Sequence, residues 1–246
     1  MPPRVALVTG ANSGIGFAIS KALTAVKDEF TVIMTGRTLA KVESARKEIE
    51  VGDLAVAQLD TTDELSIANC VSFVQEEFGR LDVLINNAGV APEGPDLGNI
   101  YRTTLTTNVI GPALVSAAFR PLLLKSSNPY SVYISSMTGS LGLISDPKSY
   151  MRITGAGSPA YRASKAALNM VILHEQLEVA STNLKIFALC PGFVVSNLRG
   201  TSKEAREAGG RAGDPAESAS AVLSILHGER DADAQKMIHK DGTHPW

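Results

Sequence analysis

The sequence predicts an α/β protein with one doubly wound, mainly parallel sheet of about seven strands and helices on both of its faces. Short runs rich in β-branched residues alternate along the chain with longer amphipathic stretches, which is typical of βα units. The runs VALV and VLI are apolar throughout, as expected of strands that helices cover on both sides. The chain has 246 residues and no linker rich in Pro, Ser or Gly, so we expect a single domain over residues 1–246.

The individual elements follow from these patterns in chain order. Strands are predicted at residues 5–9, 31–35, 54–59, 83–86, 131–135 and 185–189, with a weak last strand at 236–239. Helices are predicted at residues 14–27, 39–50, 63–78, 100–124, 159–180 and 215–227. Asp63 and Asp214 are placed to cap two of them, and Pro215 suits a first helical turn. Residues 198–213 are polar and contain glycine, which predicts a mobile loop or a short helix beside the site, or else a plain solvated connection.

Composition argues against several classes of function. The formal net charge is −2 and no basic block occurs, so we expect no nucleic-acid partner. Cys70 and Cys190 lie far apart and the four histidines lack ligand spacing, so neither a disulfide framework nor a metal site is expected. No apolar run reaches the roughly 18 residues of a membrane span. The first residues lead straight into a strand, so we expect no membrane association, no targeting segment and a cytoplasmic location.

The first predicted strand leads directly into the segment TGANSGIG, which predicts a phosphate-binding turn. Gly10, Gly14 and Gly16 fall at this turn and at the start of the first helix. Glycine lets the backbone approach a pyrophosphate there, and the helix N-terminus supplies free N–H donors. A glycine triplet alone predicts only a tight turn, but its place between a strand and a helix favours a dinucleotide site. The neighbouring residues expected in that site are Asn12, Ser13 and Ile15.

The spacing Gly-x-x-x-Gly-x-Gly after Thr9 resembles that of the short-chain dehydrogenase/reductase family. Further motifs match this family in the same order over essentially the whole chain. The resemblance implies a Rossmann-like fold, a nicotinamide cofactor, and chemistry that interconverts a carbonyl group and an alcohol.

The type of residue at the end of the second predicted strand indicates whether the protein binds NAD or NADP. An acidic residue there would bind the ribose 2′-hydroxyl of NAD and repel the 2′-phosphate of NADP. This chain has Gly36 followed by Arg37, whose guanidinium can pair with a phosphate. NADPH/NADP⁺ is therefore the expected cofactor; the alternative is that Arg37 is an ordinary surface charge.

Other motifs imply further contacts with the cofactor through the family resemblance. Asp60, in QLDTT, resembles the family aspartate that contacts the adenine ring, with Thr61 as a backbone contact; the alternative for Asp60 is a helix cap. The motif NNAG resembles the family segment beside the adenosine ribose and implies roles for Asn86, Ala88 and Gly89. The segment CPGFVVSNL resembles the one that closes over the nicotinamide, which implies contacts from Pro191, Gly192, Val194 through its backbone, and Ser196.

The motif YRASK carries the strongest chemical signal in the sequence. Tyr161 and Lys165 are four positions apart in a predicted helix, so both side chains share one face. We expect the Lys165 ammonium, aided by oxidised nicotinamide, to lower the pKa of the Tyr161 phenol. Tyr161 could then pass a proton to the alkoxide that forms when hydride reaches a ketone, with both residues also touching the cofactor.

Two more residues complete the catalytic group that the resemblance implies. Ser136 follows the fifth predicted strand, in ISSM, and its hydroxyl would hold the substrate oxygen; Ser135 is the alternative. Asn108, in TTNVIG, would disturb the long fourth helix and hold a water molecule in a proton relay to Lys165.

The sequence departs from most classical members between Ser136 and Tyr161, which are 25 positions apart. The added stretch is similar to a longer insertion in the monomeric carbonyl reductases, where it covers the helix face that relatives use to form tetramers. A monomer is therefore expected, with a homodimer as the alternative. The expected function is NADPH-dependent reduction of a ketone or aldehyde on a moderately large apolar small molecule. The alternatives are NADP-dependent alcohol oxidation and a non-catalytic NADP-binding sensor or scaffold.

Overall fold

The computed structural model describes residues 2–154 and 158–246 and contains an eight-stranded sheet. The strands are β1 (Arg4–Val8), β2 (Phe30–Gly36), β3 (Asp53–Gln58), β4 (Val83–Asn86), β5 (Tyr130–Ile134), β6 (Lys185–Leu189), β7 (Met237–His239) and β8 (Gly242–His244). Their order across the sheet is β3-β2-β1-β4-β5-β6-β7-β8. All neighbours are parallel except β7 and β8. The predicted doubly wound α/β class is confirmed.

Ten helices connect the strands in the described part of the chain. They are α1 (Gly14–Ala25), α2 (Leu39–Arg46), α3 (Glu64–Phe78), α4 (Leu97–Leu105), α5 (Gly111–Leu123), α6 (Leu141–Ser145), α7 (Tyr150–Thr154), α8 (Pro159–Glu178), α9 (Lys203–Glu207) and α10 (Pro215–Leu226). The predicted caps are present: Asp63 accepts from the backbone N–H of Leu65, and Asp214 from that of Ala216. No helix among these residues is long and apolar enough to cross a membrane.

Helices cover both faces of the sheet, which explains why its central strands are apolar throughout. One hydrophobic cluster joins the sheet to α1, α2 and α10 through residues such as Ile19 and Val222. The other joins the opposite face to α3, α5 and α8 through residues such as Phe119 and Ile172. Each face therefore has its own core, and the strand ends between them are left for a site.

The single helix predicted at residues 100–124 is wrong in one respect, because a π-helical turn at Thr106–Ile110 divides it into α4 and α5. Pro112 has no N–H to donate to the carbonyl of Asn108, which interrupts the regular bonding. The first part also begins earlier than predicted, because the Asp96 side chain accepts from the N–H of Asn99 and caps α4.

The prediction of about seven strands missed β8. This strand has three residues, too few for an alternating pattern, and it pairs with β7 through a two-residue connection at Lys240 and Asp241. The expected short helix in residues 198–213 is present as α9, preceded by a 3-10 turn at Asn197–Arg199. The extra stretch after Ser136 forms a 3-10 turn at Met137–Gly139 followed by α6 and α7.

Candidate active site

A cleft of about 1020 Å³ opens where the carboxyl ends of β1, β2, β4, β5 and β6 meet. The strand order reverses between β1 and β4, so the cleft lies at the position where parallel α/β sheets bind ligands. Its walls come from the turns after these strands, the first turns of α1 and α8, and the loop that precedes α9.

Most of the predicted site residues line this cleft, although the sequence scatters them over nearly 190 positions. Those that line it are Gly10, Asn12, Ser13, Gly14, Ile15, Arg37, Asp60, Thr61, Ala88, Gly89, Ser136, Tyr161, Lys165, Pro191, Gly192, Val194 and Ser196. Gly16, Asn86 and Asn108 lie behind the lining.

The glycine turn between β1 and α1 adopts backbone conformations that only glycine reaches without strain. Gly10 and Gly14 have φ of 63° and 56°. Gly16 has a different role, since a Cβ there would stand 2.5 Å from the side-chain nitrogen of Asn87. Ser13, at the N-cap of α1, makes no side-chain cap bond, so the first N–H groups of this helix are left for a ligand in the cleft.

Asn87, rather than the predicted Asn86, is the asparagine of the NNAG motif that reaches the cleft. Its side-chain Nδ2 donates to the carbonyls of Thr9 at 2.7 Å and Gly10 at 3.2 Å, which ties the glycine turn to the end of β4. Asn86 is the last residue of β4 and is buried, and its side-chain amide forms no hydrogen bond with any of the described residues. The one-residue difference follows from the alternation of side chains along a strand.

Two cations line the cleft near the end of β2. Arg37 follows the strand, and Lys41 lies in the first turn of α2; both side chains are exposed. Asp60 lies across from them and accepts from the N–H and the hydroxyl of Thr62, so its carboxylate stabilises a local turn while it lines the cleft. This end of the cleft is suited to a negatively charged group.

Tyr161 and Lys165 lie one turn apart on α8 and face the same cleft. The helix begins well because the Ser158 hydroxyl accepts from the N–H of Tyr161 at 3.3 Å and Pro159 occupies the first turn. Lys165 is buried, and its Nζ donates to the carbonyl of Ile134 at 2.7 Å while lying 5.6 Å from the centre of the Tyr161 ring. The lysine is therefore bound to the end of β5 and lies beside the tyrosine.

Burial dominates the titration of both groups. It lowers the pKa of Lys165 to about 8. It raises the pKa of Tyr161, against the opposing effects of the nearby Ser136 hydroxyl and of the positive charge of Arg199. In this structure burial outweighs the groups that lower the pKa of Tyr161. The lowering that we expect from Lys165 together with oxidised nicotinamide stays a prediction.

The two candidate serines have different surroundings. Ser135 is buried, and its hydroxyl donates to the side-chain oxygen of Asn169 on α8. Ser136 is less buried, lies 2.9 Å from the hydroxyl of Thr138, and is among the groups that lower the pKa of Tyr161. The Ser136 hydroxyl is the one adjacent to Tyr161, while that of Ser135 connects β5 to α8.

Asn108 is buried in the π-helical turn behind the cleft. Its Oδ1 accepts from the N–H of Val90, and its Nδ2 donates to the Val90 carbonyl at 2.8 Å and to the Ser164 hydroxyl at 3.0 Å. The side chain thus joins the turn after β4 to α8, one residue before Lys165. Both amide hydrogens and one lone pair of the amide oxygen are thus bonded within the protein.

Sequence reasoning missed several residues of the cleft, among them the polar residues Lys41, Asn87 and Arg199. Lys41 stands four positions after Arg37, a spacing that a search for a second cation at the start of α2 would have found. Asn87 directly follows the correctly predicted end of β4, and the first residue after a strand end is one that faces a cleft at this edge of the sheet. Arg199 had no signal, because only the folded loop after β6 brings it near Tyr161.

Comparison with known proteins agrees with this architecture. A family model described as short chain dehydrogenase matches residues 4–207. The short-chain dehydrogenase/reductase tropE of Talaromyces stipitatus is 34% identical over 257 residues, which covers 96% of this chain and 95% of the relative. The (+)-neomenthol dehydrogenase of Arabidopsis thaliana is 32% identical and covers 80% of this chain and 84% of the relative.

A solved structure supports the same relationship. The crystal structure of an NADPH-bound carbonyl reductase from chicken fatty liver superposes with a TM-score of 0.84 at 29% identity, covering all of both chains. The match of the family model over most of the chain, together with these relatives, identifies the family. The chain belongs to the short-chain dehydrogenase/reductase family and is an oxidoreductase of that family.

Proposed function

We propose that this protein reduces the carbonyl group of a ketone or aldehyde with NADPH as hydride donor. The observation that carries this proposal is that Ser136, Tyr161 and Lys165 face one cleft together with a glycine turn suited to a dinucleotide. A binding protein without catalysis would need the glycine turn but not a buried lysine beside a tyrosine at its other end. The sensor or scaffold alternative is therefore the weaker explanation.

The residues of the cleft fit NADPH. The positive φ of Gly10 and Gly14, and the uncapped N-terminus of α1, suit the pyrophosphate. Arg37 and Lys41 suit the 2′-phosphate, since no acidic residue follows β2. The carbonyl reductase from chicken fatty liver, which aligns over the whole chain, was crystallised with NADPH bound.

In the proposed reaction the reduced nicotinamide supplies the hydride, and the protein manages the proton. Tyr161 acts as the general acid, and its Oη donates a proton to the substrate oxygen as that oxygen gains charge. A phenol with its usual pKa of about 10 is protonated at neutral pH, as an acid must be before it acts, and burial raises the pKa of Tyr161 further. The Ser136 hydroxyl donates a hydrogen bond to the same oxygen and positions it next to Tyr161.

Lys165 and Asn108 support this proton transfer. A positive charge on Lys165 beside the ring stabilises the phenolate that remains once Tyr161 has given up its proton. We propose that Asn108 holds the π-helical turn against α8 and, with a water molecule, completes the relay that returns a proton towards Lys165. The loop with Pro191, Gly192, Val194 and Ser196 closes the nicotinamide end; Ser196 already lies next to Gly14.

We further propose a moderately large, apolar substrate, a monomeric protein and a cytoplasmic location. The cleft volume supports a substrate of that size beside a dinucleotide. The stretch after Ser136, with α6 and α7, supports the monomer by its likeness to the insertion of monomeric carbonyl reductases. Two buried, free cysteines, Cys70 and Cys190, are compatible with a reducing compartment.

The activity is tested by following the loss of NADPH absorbance, with NADH in parallel, on a panel of ketones, diketones, quinones and aldehydes. We expect turnover with NADPH that exceeds turnover with NADH. Tight NADPH binding without turnover of any carbonyl would favour the sensor, and equal or better use of NADH would contradict the role of Arg37 and Lys41.

A second candidate is alcohol oxidation with NADP⁺, because a relative covering 80% of this chain carries the name (+)-neomenthol dehydrogenase. The same residues serve both directions, with Tyr161 as base instead of acid. Measuring product formation from matched ketone and alcohol pairs at pH 7 separates the two: reduction is expected to be faster by at least about tenfold.

A further inference from the structure

Arg199 is a positive charge in the active site that the proposed reaction does not use. It ends the 3-10 turn Asn197–Arg199 in the loop after β6 and lines the cleft with Tyr161. Its charge reaches the reacting end of the site, because it is among the groups that oppose the raising effect of burial on the pKa of Tyr161. Arg199 therefore lies close to where a substrate would react.

The Arg199 side chain is held in one orientation by neutral groups. Its Nε donates to the carbonyl of Ala205 at 3.3 Å, and its Nη2 donates to the carbonyls of Val194 at 2.9 Å and Arg206 at 2.7 Å. The guanidinium also stacks 4.4 Å from the centre of the Phe193 ring. Carbonyls and a ring orient a cation but do not neutralise it.

No carboxylate in residues 2–154 and 158–246 forms an ion pair with Arg199, and its Nη1 donates to no acceptor in these residues. Burial lowers the pKa of this guanidinium, which means that its charge has lost part of its hydration. A partly dehydrated, unpaired cation costs free energy, and an anionic ligand would recover it. Glu93 lines the same cleft but is exposed and forms no ion pair among these residues.

We propose that Arg199 binds an anionic oxygen group of the substrate, a carboxylate or a phenolate, through the free Nη1 edge of its guanidinium. This inference rests on the proposed carbonyl reduction and refines its substrate class: an apolar body that carries an acidic group beside the reacting carbonyl. The pyrophosphate of the cofactor also carries anionic oxygens that an arginine could bind. It is expected at Gly14 and the N-terminus of α1, however, whereas the charge of Arg199 acts at Tyr161.

The test compares matched acidic and neutral substrates in three variants. The substrates are 2-, 3- and 4-acetylbenzoate and their methyl esters, with NADPH. For at least one position of the carboxylate, the acid-to-ester ratio of kcat/KM should favour the acid in the unaltered protein. This ratio should fall tenfold to hundredfold in Arg199→Gln, the usual loss for a charge-assisted bond. Arg199→Lys keeps the charge and should keep most of the preference.

Arg211→Gln is the matched control, because Arg211 lies in the same loop region, bonds one carbonyl at 3.1 Å and does not line the cleft. It should leave the ratio unchanged. Equal losses for acids and esters in Arg199→Gln would show that Arg199 only holds the loop, and would overturn the proposal. A matching rise in the Kd of NADPH, measured by fluorescence, would assign Arg199 to the cofactor and would also overturn it.

A binding measurement separates this inference from the proposed function. Titration calorimetry of 1-naphthoate and 1-naphthamide on the protein saturated with NADP⁺ should show tighter binding of the carboxylate, lost in Arg199→Gln. That result without turnover of any ketone would contradict the proposed function and support the inference. Turnover of the esters with equal binding of naphthoate and naphthamide would contradict the inference alone.

Discussion

Among the individual residues, Arg37 and Lys41 form the part of the cleft that we propose to hold the 2′-phosphate of the cofactor. Arg37 and Lys41 stand on one side of the cleft and have no carboxylate within ion-pair distance among the described residues. Their charges are exposed, so they can pair with a phosphate at little cost of dehydration. Sequence reasoning identified Arg37 from its place after β2 but not its neighbour in α2.

The Arg37 assignment makes a quantitative prediction. Arg37→Gln should raise the Kd of NADPH about tenfold to hundredfold and change that of NADH by less than about threefold, because only NADPH carries the 2′-phosphate. Arg46→Gln, at the other end of α2 and away from the cleft, is the control and should change neither. Fluorescence titration measures both constants; parallel losses for NADPH and NADH would contradict the assignment.

The lowered pKa of Lys165 predicts how the free energy of unfolding changes with pH. Burial lowers its pKa from 10.5 to about 8, so the folded protein releases this proton at a lower pH than the unfolded chain does. Between these values the unfolded chain binds more protons, and raising the pH raises the free energy of unfolding. From pH 8 to 9.5 the protein should gain roughly 2 kcal/mol relative to Lys165→Met, as measured by denaturant unfolding. If the free energies of unfolding of the unaltered protein and of Lys165→Met changed with pH in parallel, the Lys165 ammonium would not be dehydrated in the folded protein.

Among the elements, α8 aligns Tyr161 and Lys165 with Ser136, because polar contacts connect it to β5 and to the residue after β5 at three levels. Lys165 bonds the Ile134 carbonyl, Asn169 bonds Ser135, and Glu175 accepts from the Tyr133 hydroxyl. Glu175 also accepts from Ser116 and, at 3.2 Å, from Arg120 on α5. These bonds set the position of α8 along β5, and with it the position of Tyr161 relative to Ser136.

The buried Glu175 should therefore matter for stability. Glu175→Ala is expected to lower the free energy of unfolding by about 3 kcal/mol, since it leaves three buried or half-buried donors without their acceptor. Glu178→Ala is the matched control: its carboxylate also pairs with Arg120, but it is 46% exposed and should contribute less than about 1 kcal/mol. Denaturant unfolding measures the free energy of unfolding of both variants. Equal losses in the two variants would contradict the importance of the buried Glu175 contacts.

Most elements could be predicted from the sequence because their patterns are local. The central strands are apolar runs, and α3 and α10 begin at recognisable caps at Asp63 and Asp214. The π-helical turn was harder to predict, because it depends on Pro112 together with the bonds of Asn108 to Val90. The strand β8 was missed because its pairing partner, not its own composition, makes it a strand.

The site shows the same division between local and non-local information. Tyr161, Lys165 and the glycine turn could be predicted, since each belongs to a motif in which spacing determines the shared face or the turn. The direction in which the pKa of Tyr161 shifts could not be predicted, because the shift depends on burial by distant parts of the chain. The position of Arg199 likewise depends on how the loop after β6 folds.

At the scale of the whole molecule, the stretch after Ser136 and the end of the chain pack together. The N–H of Gly142 in α6 donates to the carbonyl of Trp246 at 2.9 Å, and Trp246 packs partly against the core beneath α8. On the outer side, Met170 and Leu177 lie seven positions apart on α8 and are 66% and 74% exposed. Exposed apolar side chains on one helix face are where a second copy would bind if the protein were a dimer.

We expect the monomer. Light scattering after size-exclusion chromatography should give the mass of one chain for the unaltered protein and for a Met170→Glu, Leu177→Glu variant alike. A mass of two chains that this variant reduces to one would contradict the monomer and assign the homodimer to the outer face of α8.

If Tyr161 is the proton donor in an NADPH-dependent reduction, as we propose, the variant Tyr161→Phe must lose that activity. The change removes only the hydroxyl, so NADPH should bind with an unchanged Kd while turnover of the best carbonyl substrate falls at least about a thousandfold. Turnover that survives in Tyr161→Phe at a tenth or more of the original rate would contradict the account.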